Sequence, residues 1–280
     1  MAGTQHARKV LLLGASGKLG RMVSKLWQSD LYTLVPVTRD LPIFDNGLQW
    51  APGDPPPDIE GIASVVALWG VTPGPGRTLS DNTRLALAAM ELAESLGAGS
   101  VLHCSSAAVY RPADGPIPET EQPDPQSAYG QAKLDMEQAI ASREPKGKLR
   151  NVIMRIGNVA GADSLFANLT PGQKITLDQF ADGQGPQRSY IAPQDLVRVI
   201  EALIRVGAEG TFNVAAPAPT PMADIVHAAG GQLAWRRAPK GAVPLVWLST
   251  AALDPVIKLT CDIHSADHLV NAARQGGTWP

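Results

Sequence analysis

The chain has 280 residues, 44% of them apolar and 18% charged, an ordinary globular composition with length for one large domain or two small ones sharing a core. Its 24 Lys and Arg nearly balance its 26 Asp and Glu, which removes any electrostatic case for nucleic acid or an anionic membrane. Two cysteines, Cys104 and Cys261, are too few for a disulfide framework, and no apolar run is long enough to span a bilayer. The stretch from Met1 to Arg8 is polar and lacks the apolar core of a secretory signal, so a soluble cytoplasmic protein is expected.

Val10 to Leu13 is a short apolar run that predicts a buried strand. Gly14-Ala15-Ser16-Gly17-Lys18-Leu19-Gly20 follows at once, and then an amphipathic stretch with Leu19, Met22, Val23 and Leu26 on one face. Strand, glycine turn and helix in that order form a context for a dinucleotide. The glycines let backbone approach a pyrophosphate, and the helix N-terminus attracts its charge. The spacing is G-x-x-G-x-x-G rather than G-x-G-x-x-G. Thr33 to Thr38 predicts the second strand, and its end bears on cofactor choice. An acid there would take the ribose hydroxyls of NAD, whereas an Arg accommodates the extra phosphate of NADP. The sequence has Thr38, Arg39 and Asp40, which favours NADP through Arg39 while Asp40 keeps NAD open.

Gln49 to Gly53 is read as a third strand, with Asp54 after it in reach of an adenine amino group. Ser64 to Trp69 predicts a buried parallel strand, with Gly70 and Gly74 in the loop beyond it. Leu85 to Leu96 has helical spacing, and Val101 to Cys104 is the next strand, ending in Ser105-Ser106. Ligands collect at the carboxyl ends of strands in open α/β sheets, so these serines and the Gly70 loop should share a crevice with the glycine turn. The Pro-rich segment between Tyr110 and Ser127 is expected to be an ordered lid or flap over that crevice. Beyond it, Asn151 to Ile156 and Thr211 to Val214 read as strands, and Asp195 to Val206 and Met222 to Ala229 as helices.

Tyr129 and Lys133 are four apart at the start of a helical pattern, which places phenol and ammonium on one face. A neighbouring cation favours the phenolate, so the pair is expected to have a lowered tyrosine pKa and to exchange protons with a carbinol or carbonyl.

These pieces together resemble the extended short-chain dehydrogenase/reductase family, in its NAD(P)-dependent epimerase/dehydratase branch. The resemblance rests on Gly14, Gly17 and Gly20; on Asn82 at a helix start; on Ser105-Ser106-Ala107-Ala108-Val109-Tyr110; on Tyr129-x-x-x-Lys133; and on Arg155-Ile156-Gly157-Asn158. Asp182-Gly183-Gln184-Gly185, Arg188-Ser189-Tyr190-Ile191 and Asp195-Leu196 are similar to a further family segment, and Gly277-Thr278-Trp279-Pro280 to another. The resemblance implies a Rossmann-type doubly wound parallel sheet over residues 1–158, with returning segments near 188–215, and a small C-terminal substrate-binding lobe mostly over 159–280.

It also implies roles. Ser106 would hold the reacting oxygen, Tyr129 would be the acid and base, and Lys133 would bind the nicotinamide ribose. Gly14, Ser16, Gly17, Lys18, Leu19, Gly20, Arg39, Asp54, Leu68, Trp69, Gly70, Asn82 and Lys133 would line the cofactor, and Asn158 and Arg188 would face the substrate. No metal ligands are assigned. A homodimer is implied, paired through the helix of Tyr129 and the helix after Asn82, with Leu85, Ala89, Leu92, Leu134 and Ala139 apolar enough to serve.

The sequence departs from the family pattern at Trp69, where a small residue is usual, at Arg111, where Gly is usual, and at Ala192-Pro193 in place of a His-Val pair. Ala107 and Ala108 stand where the sugar dehydratases carry an acidic pair, which disfavours water elimination. The expected activity is reversible hydride transfer on a carbinol or ketone of a sugar or nucleotide-sugar. Reduction of a smaller carbonyl compound and non-catalytic sensing of a dinucleotide are the alternatives.

Overall fold

The computed structural model describes residues 8–40, 43–144, 147–170 and 172–280. The first half alternates strands and helices: β1 (Arg8–Leu13), α1 (Lys18–Leu26), β2 (Tyr32–Thr38), β3 (Leu48–Gln49), β4 (Ile62–Ala67), α2 (Asp81–Ser95), β5 (Ser100–Ser106) and α3 (Ala128–Ser142). Then come β6 (Arg150–Ile156), β7 (Asn158–Val159), α4 (Ser164–Asn168), β8 (Lys174–Gln179), β9 (Gln187–Arg188), β10 (Tyr190–Ile191), α5 (Pro193–Val206) and β11 (Gly210–Val214). The chain closes with β12 (Thr220–Pro221), α6 (Met222–Ala228), β13 (Gln232–Arg237), β14 (Leu245–Val246) and α7 (Ala266–Gly276).

Seven strands form one sheet in the order β11-β6-β5-β4-β1-β2-β3, every neighbouring pair parallel. The order reverses between β1 and β4, the switch point at which an α/β sheet opens a ligand crevice. Alternation along β1 explains the two faces. Val10 and Leu12 join a core under α1 and α5, while Leu11 and Leu13 join a second core under α2 and α3. Burial on both sides is why these strands read as continuous apolar runs. Pro193 opens α5, where its missing N–H costs nothing, and Gly207 ends it at φ 67°.

The remaining strands are short and belong to a lobe. β8 pairs β13, β9 lies between β12 and β14, and β7 pairs β10. The lobe has its own core of Phe166, Tyr190, Ile225, Leu269 and Trp279. Trp279 meets Phe166 edge-on at 5.2 Å and donates its indole N–H to the Leu169 carbonyl. Among the described residues no helix is long and apolar enough to cross a membrane.

Three expectations need correction. The third strand is Leu48–Gln49 only; Trp50 to Asp54 is a turn, closed by Asp54 N–H on the Ala51 carbonyl and opened by Gly53 at φ 103°. The strand expected over Ser64 to Trp69 ends at Ala67. The segment from Tyr110 to Ser127 is ordered, as expected, and fastened. Buried Ile117 exchanges backbone hydrogen bonds with Trp247 and Ser249, and the Asn213 amide donates to the Ile117 carbonyl. Of the residues offered for a dimer, Ala89 and Leu92 are buried in the protein's own core, which leaves Leu85, Leu134 and Ala139 half-buried.

His103 on β5 is buried under α3, with Nε2 on Asn151 Oδ1 at 3.1 Å and Nδ1 without a partner. Burial pushes its pKa down to about 4, and Lys133 adds to the fall while the Asn151 bond opposes it. A pKa below the unfolded value of 6.5 contributes stability that is present above that pH and is lost as pH falls toward 4. The shift corresponds to about 3 kcal/mol. We expect His103→Phe to flatten the pH dependence of the unfolding free energy between pH 6.5 and 4; an unchanged slope in urea titrations would contradict this.

Candidate active site

The glycine turn is shaped by contacts that only glycine allows. Gly14 has φ +85°, and a Cβ there would sit 2.7 Å from the Trp69 nitrogen. A Cβ on Gly20 would lie 2.2 Å from the Gly14 carbonyl oxygen, so the helix can pack onto the turn only without one. Gly17 caps α1 with no side-chain bond, and no acidic residue stands in the first turn. The helix therefore offers backbone N–H groups and positive partial charge to an anion. Ser16 and Lys18 are exposed beside it, and Leu19 is half-buried against the core.

At the end of β2, Thr38 is buried and its hydroxyl donates to the Asp40 carbonyl, while Arg39 is exposed and makes no ion pair among the described residues. The Asp54 carboxylate accepts from Ala51 N–H at 2.9 Å, so one of its oxygens closes its own turn. Leu68 is buried and continues β4 by donating to Leu13, and Trp69 stacks on Trp50 at 6.0 Å. Asn82, fully buried, exchanges hydrogen bonds with the Val71 N–H and carbonyl and so clamps the loop after β4. A Cβ on Gly70 would fall 2.9 Å from Asn82 Oδ1 and 3.1 Å from Lys133 Nζ, which places all three at one point of the crevice.

Ser127 caps α3 by accepting from Gly130 N–H at 3.0 Å. A Cβ on Gly130 would lie 2.1 Å from the Ala108 carbonyl oxygen, so a larger residue would force the helix off the segment that follows Ser106. The sequence reading passed over Gly130; its signal was the small residue directly after Tyr129. The close approach brings the Tyr129 phenol to the side of Ser106, whose hydroxyl accepts from Ala108 N–H. Lys133 is buried, donates to the Cys104 carbonyl at 2.8 Å and stands 5.9 Å from the Tyr129 ring.

The tyrosine is not depressed by its lysine, contrary to the sequence expectation. Burial raises the Tyr129 pKa, the Cys104 thiol adds to the rise, and only the Ser106 hydrogen bond opposes it. Burial also lowers the Lys133 pKa, with Cys104 and Glu137 opposing. The phenol is thus held protonated in the structure.

Behind these groups lies a buried polar network. Glu137, one helical turn beyond Lys133, forms a short hydrogen bond with Ser105 and an ion pair with Arg155 at 2.7 Å. Arg155 also donates to the Tyr110 hydroxyl, which donates to Asn213 on β11. Arg155 was noted as part of a motif; Glu137 was missed, although it continues the four-residue spacing of Tyr129 and Lys133.

The two residues expected to face substrate are placed on the lobe side. Asn158 donates to Asp163, which also accepts from the Tyr190 hydroxyl at 2.6 Å and caps α4. Asn158 is therefore oriented by Asp163, a residue the sequence reading did not single out. Arg188 donates to the carbonyls of Gln187, Pro244 and Val243 and makes no ion pair among the described residues. Burial lowers its pKa, with Tyr190 and Asp178 opposing.

Comparison with known proteins agrees with this architecture. A UDP-glucose 4-epimerase of Rhizobium leguminosarum bv. trifolii is 36% identical over 78 residues, 28% of this chain and 24% of that protein, so the match spans about a quarter of the relative. The structure of UDP-glucuronic acid 4-epimerase from Bacillus cereus with UDP-glucuronic acid and NAD superposes with a TM-score of 0.72 at 16% identity, covering 95% of this chain and 99% of that one. TunA, an NAD-dependent NDP-hexosamine 5,6-dehydratase involved in tunicamycin biosynthesis, gives 0.76 at 18% identity over 96% and 97%. At these identities the superpositions speak for the fold alone. The NAD dependent epimerase/dehydratase family itself matches residues 64–215, more than half of the chain and the part that carries Ser106, Tyr129, Lys133 and Arg188, and the chain belongs to that family.

Proposed function

We propose that the protein is an NAD(P)-dependent enzyme that moves a hydride reversibly between the nicotinamide and a carbinol or ketone carbon of a nucleotide-sugar. The observation that carries this reading is the meeting of Ser106, Tyr129 and Lys133 at the carboxyl end of β5, beside a glycine turn that only a close backbone approach explains. The residues fit a dinucleotide: Gly14 and Gly20 let α1 pack onto the turn, so that its N-terminal N–H groups face where the pyrophosphate would lie, and Gly70, Asn82 and Lys133 converge where its nicotinamide ribose would lie. When bound, the cofactor supplies the carbon that gives and takes the hydride.

The chain's own groups supply the rest. Ser106 holds the reacting oxygen, and Tyr129 gives it a proton or takes one. The raised phenol pKa sets the resting protein to give a proton to a carbonyl. Lys133, held by the Cys104 carbonyl, orients the ribose and stabilises the phenolate that forms. Arg188, a guanidinium bonded only to carbonyls, suits an anionic phosphate of the substrate, and Asn158 lies beside it on the lobe. Ala107 and Ala108 offer no group to move protons across a breaking carbon–oxygen bond, so we place water elimination outside the activity. A reductase of a smaller carbonyl compound is the second reading, favoured by the small C-terminal lobe of short strands.

For the cofactor, exposed Arg39 and the absence of an acid at Thr38 support NADP ahead of NAD. Arg39→Ala should weaken NADP and leave NAD nearly unchanged; calorimetry showing equal loss for both would remove Arg39 from the phosphate site.

Tyr129→Phe removes one oxygen and little volume. It should lose roughly 100- to 10,000-fold in turnover while cofactor affinity changes little. The reading is tested by following nicotinamide absorbance with a panel of nucleotide-sugars. Near-native turnover in the variant would sink it.

A further inference from the structure

At the end of the sheet opposite the crevice lies a cavity of about 330 Å³. Arg8, Tyr32, Ile62, Ser100 and Arg150, at the starts of five strands, line it together with Ile204 of α5. No Asp or Glu is among its described lining residues. Along β5 it stands about 20 Å from Ser106, the six steps from Ser100 being ~3.3 Å each. It is therefore separate from the glycine turn and from Arg188.

Its two arginines are unusual in their bonding. Arg150 Nε is sealed from solvent and has no hydrogen-bond partner. No ion pair or side-chain hydrogen bond is made by Arg150 among the described residues. Its guanidinium lies in space left by two glycines: a Cβ on Gly99 would be 3.4 Å from Nη2 and one on Gly207 3.7 Å from Cζ. Arg8 lies over the Tyr32 ring at 5.4 Å and donates to the Tyr32 hydroxyl at 3.3 Å, which leaves that hydroxyl a proton to donate. The nearby carboxyl end of α5 carries the negative pole of its helix, which eases the positive charge but gives Arg150 no hydrogen bond.

A buried guanidinium donor without an acceptor is costly unless a ligand completes it. We propose that this cavity binds a small phosphate monoester, with the phosphate on Arg8 and Arg150 and the organic part against Tyr32, Ile62 and Ile204. Two guanidinium forks match a phosphate in both geometry and charge, since a monoester carries nearly two negative charges at neutral pH. The cavity is larger than a bare ion needs, and its aromatic and aliphatic wall suits an organic substituent.

The test is calorimetry of the whole protein with glycerol phosphate and with inorganic phosphate, at constant ionic strength set with potassium chloride and with saturating cofactor. We expect saturable one-to-one binding of glycerol phosphate, tighter than that of inorganic phosphate. Arg150→Gln and Arg8→Gln should each weaken it about tenfold or more, and Arg188→Gln should not. Arg8 is an exposed strand end, so its variant keeps the test open if melting curves show that Arg150→Gln does not fold. Equal or tighter binding of inorganic phosphate would overturn the monoester assignment. No saturable binding, or binding lost only in Arg188→Gln, would overturn the site.

Discussion

The placement of the candidate catalytic groups depends on one close contact, between the first turn of α3 and the backbone that follows β5. Gly130 permits it, because any side chain at that position would collide with the Ala108 carbonyl. Once the helix is seated, residues four apart meet the strand end in succession. Tyr129 lies beside Ser106, Lys133 donates to the Cys104 carbonyl, and Glu137 accepts from Ser105. The repeat of the helix and the repeat of the strand thus bring three polar side chains against three consecutive residues. Arg155 then joins this seam to β6, and Tyr110 and Asn213 join it to β11 and the fastened segment around Ile117.

The electrostatics follow from that packing. Charges withdrawn from water lose solvation, which an ion pair repays only with good geometry. Glu137 and Arg155 meet that condition through two-pronged contact. Lys133 and Arg188 do not, since each is bonded to backbone carbonyls rather than to a carboxylate. A buried and a half-buried cation held by neutral acceptors suit a crevice for negatively charged ligands. Tyr129 shows the converse: without a charged partner at bonding distance, burial favours its neutral form.

The sheet was legible because its strands are buried on both faces. The runs at 10–13, 64–69, 101–104 and 151–156 could be read directly; the structure extends three of them by one to three residues, while the strand at 64–69 starts at Ile62 and stops at Ala67. In the lobe the helix at 222–228 was legible and the strands were not. Strands of two residues, such as Gln187–Arg188, are too short to show a period, and their pairing is set by partners far along the chain. The helix Ala266–Gly276 went unread. Gln49 to Gly53 was read as strand, but Pro52 and Gly53 turn the chain after Gln49. At the site, the four-residue spacing told which side chains share a face. It could not tell that burial would outweigh Lys133 at the phenol, since depth is a property of the packed protein.

The most direct test of the seam is Gly130→Ala, compared with the unaltered protein in a crystal structure and in turnover with its substrate. The added methyl must displace either α3 or the Ala108 backbone, and so part Tyr129 from Ser106. The account predicts a folded protein that still binds the dinucleotide through the Gly14 turn, with the phenol moved out of hydrogen-bonding reach and hydride transfer largely lost. Full turnover with Tyr129 unmoved would contradict it.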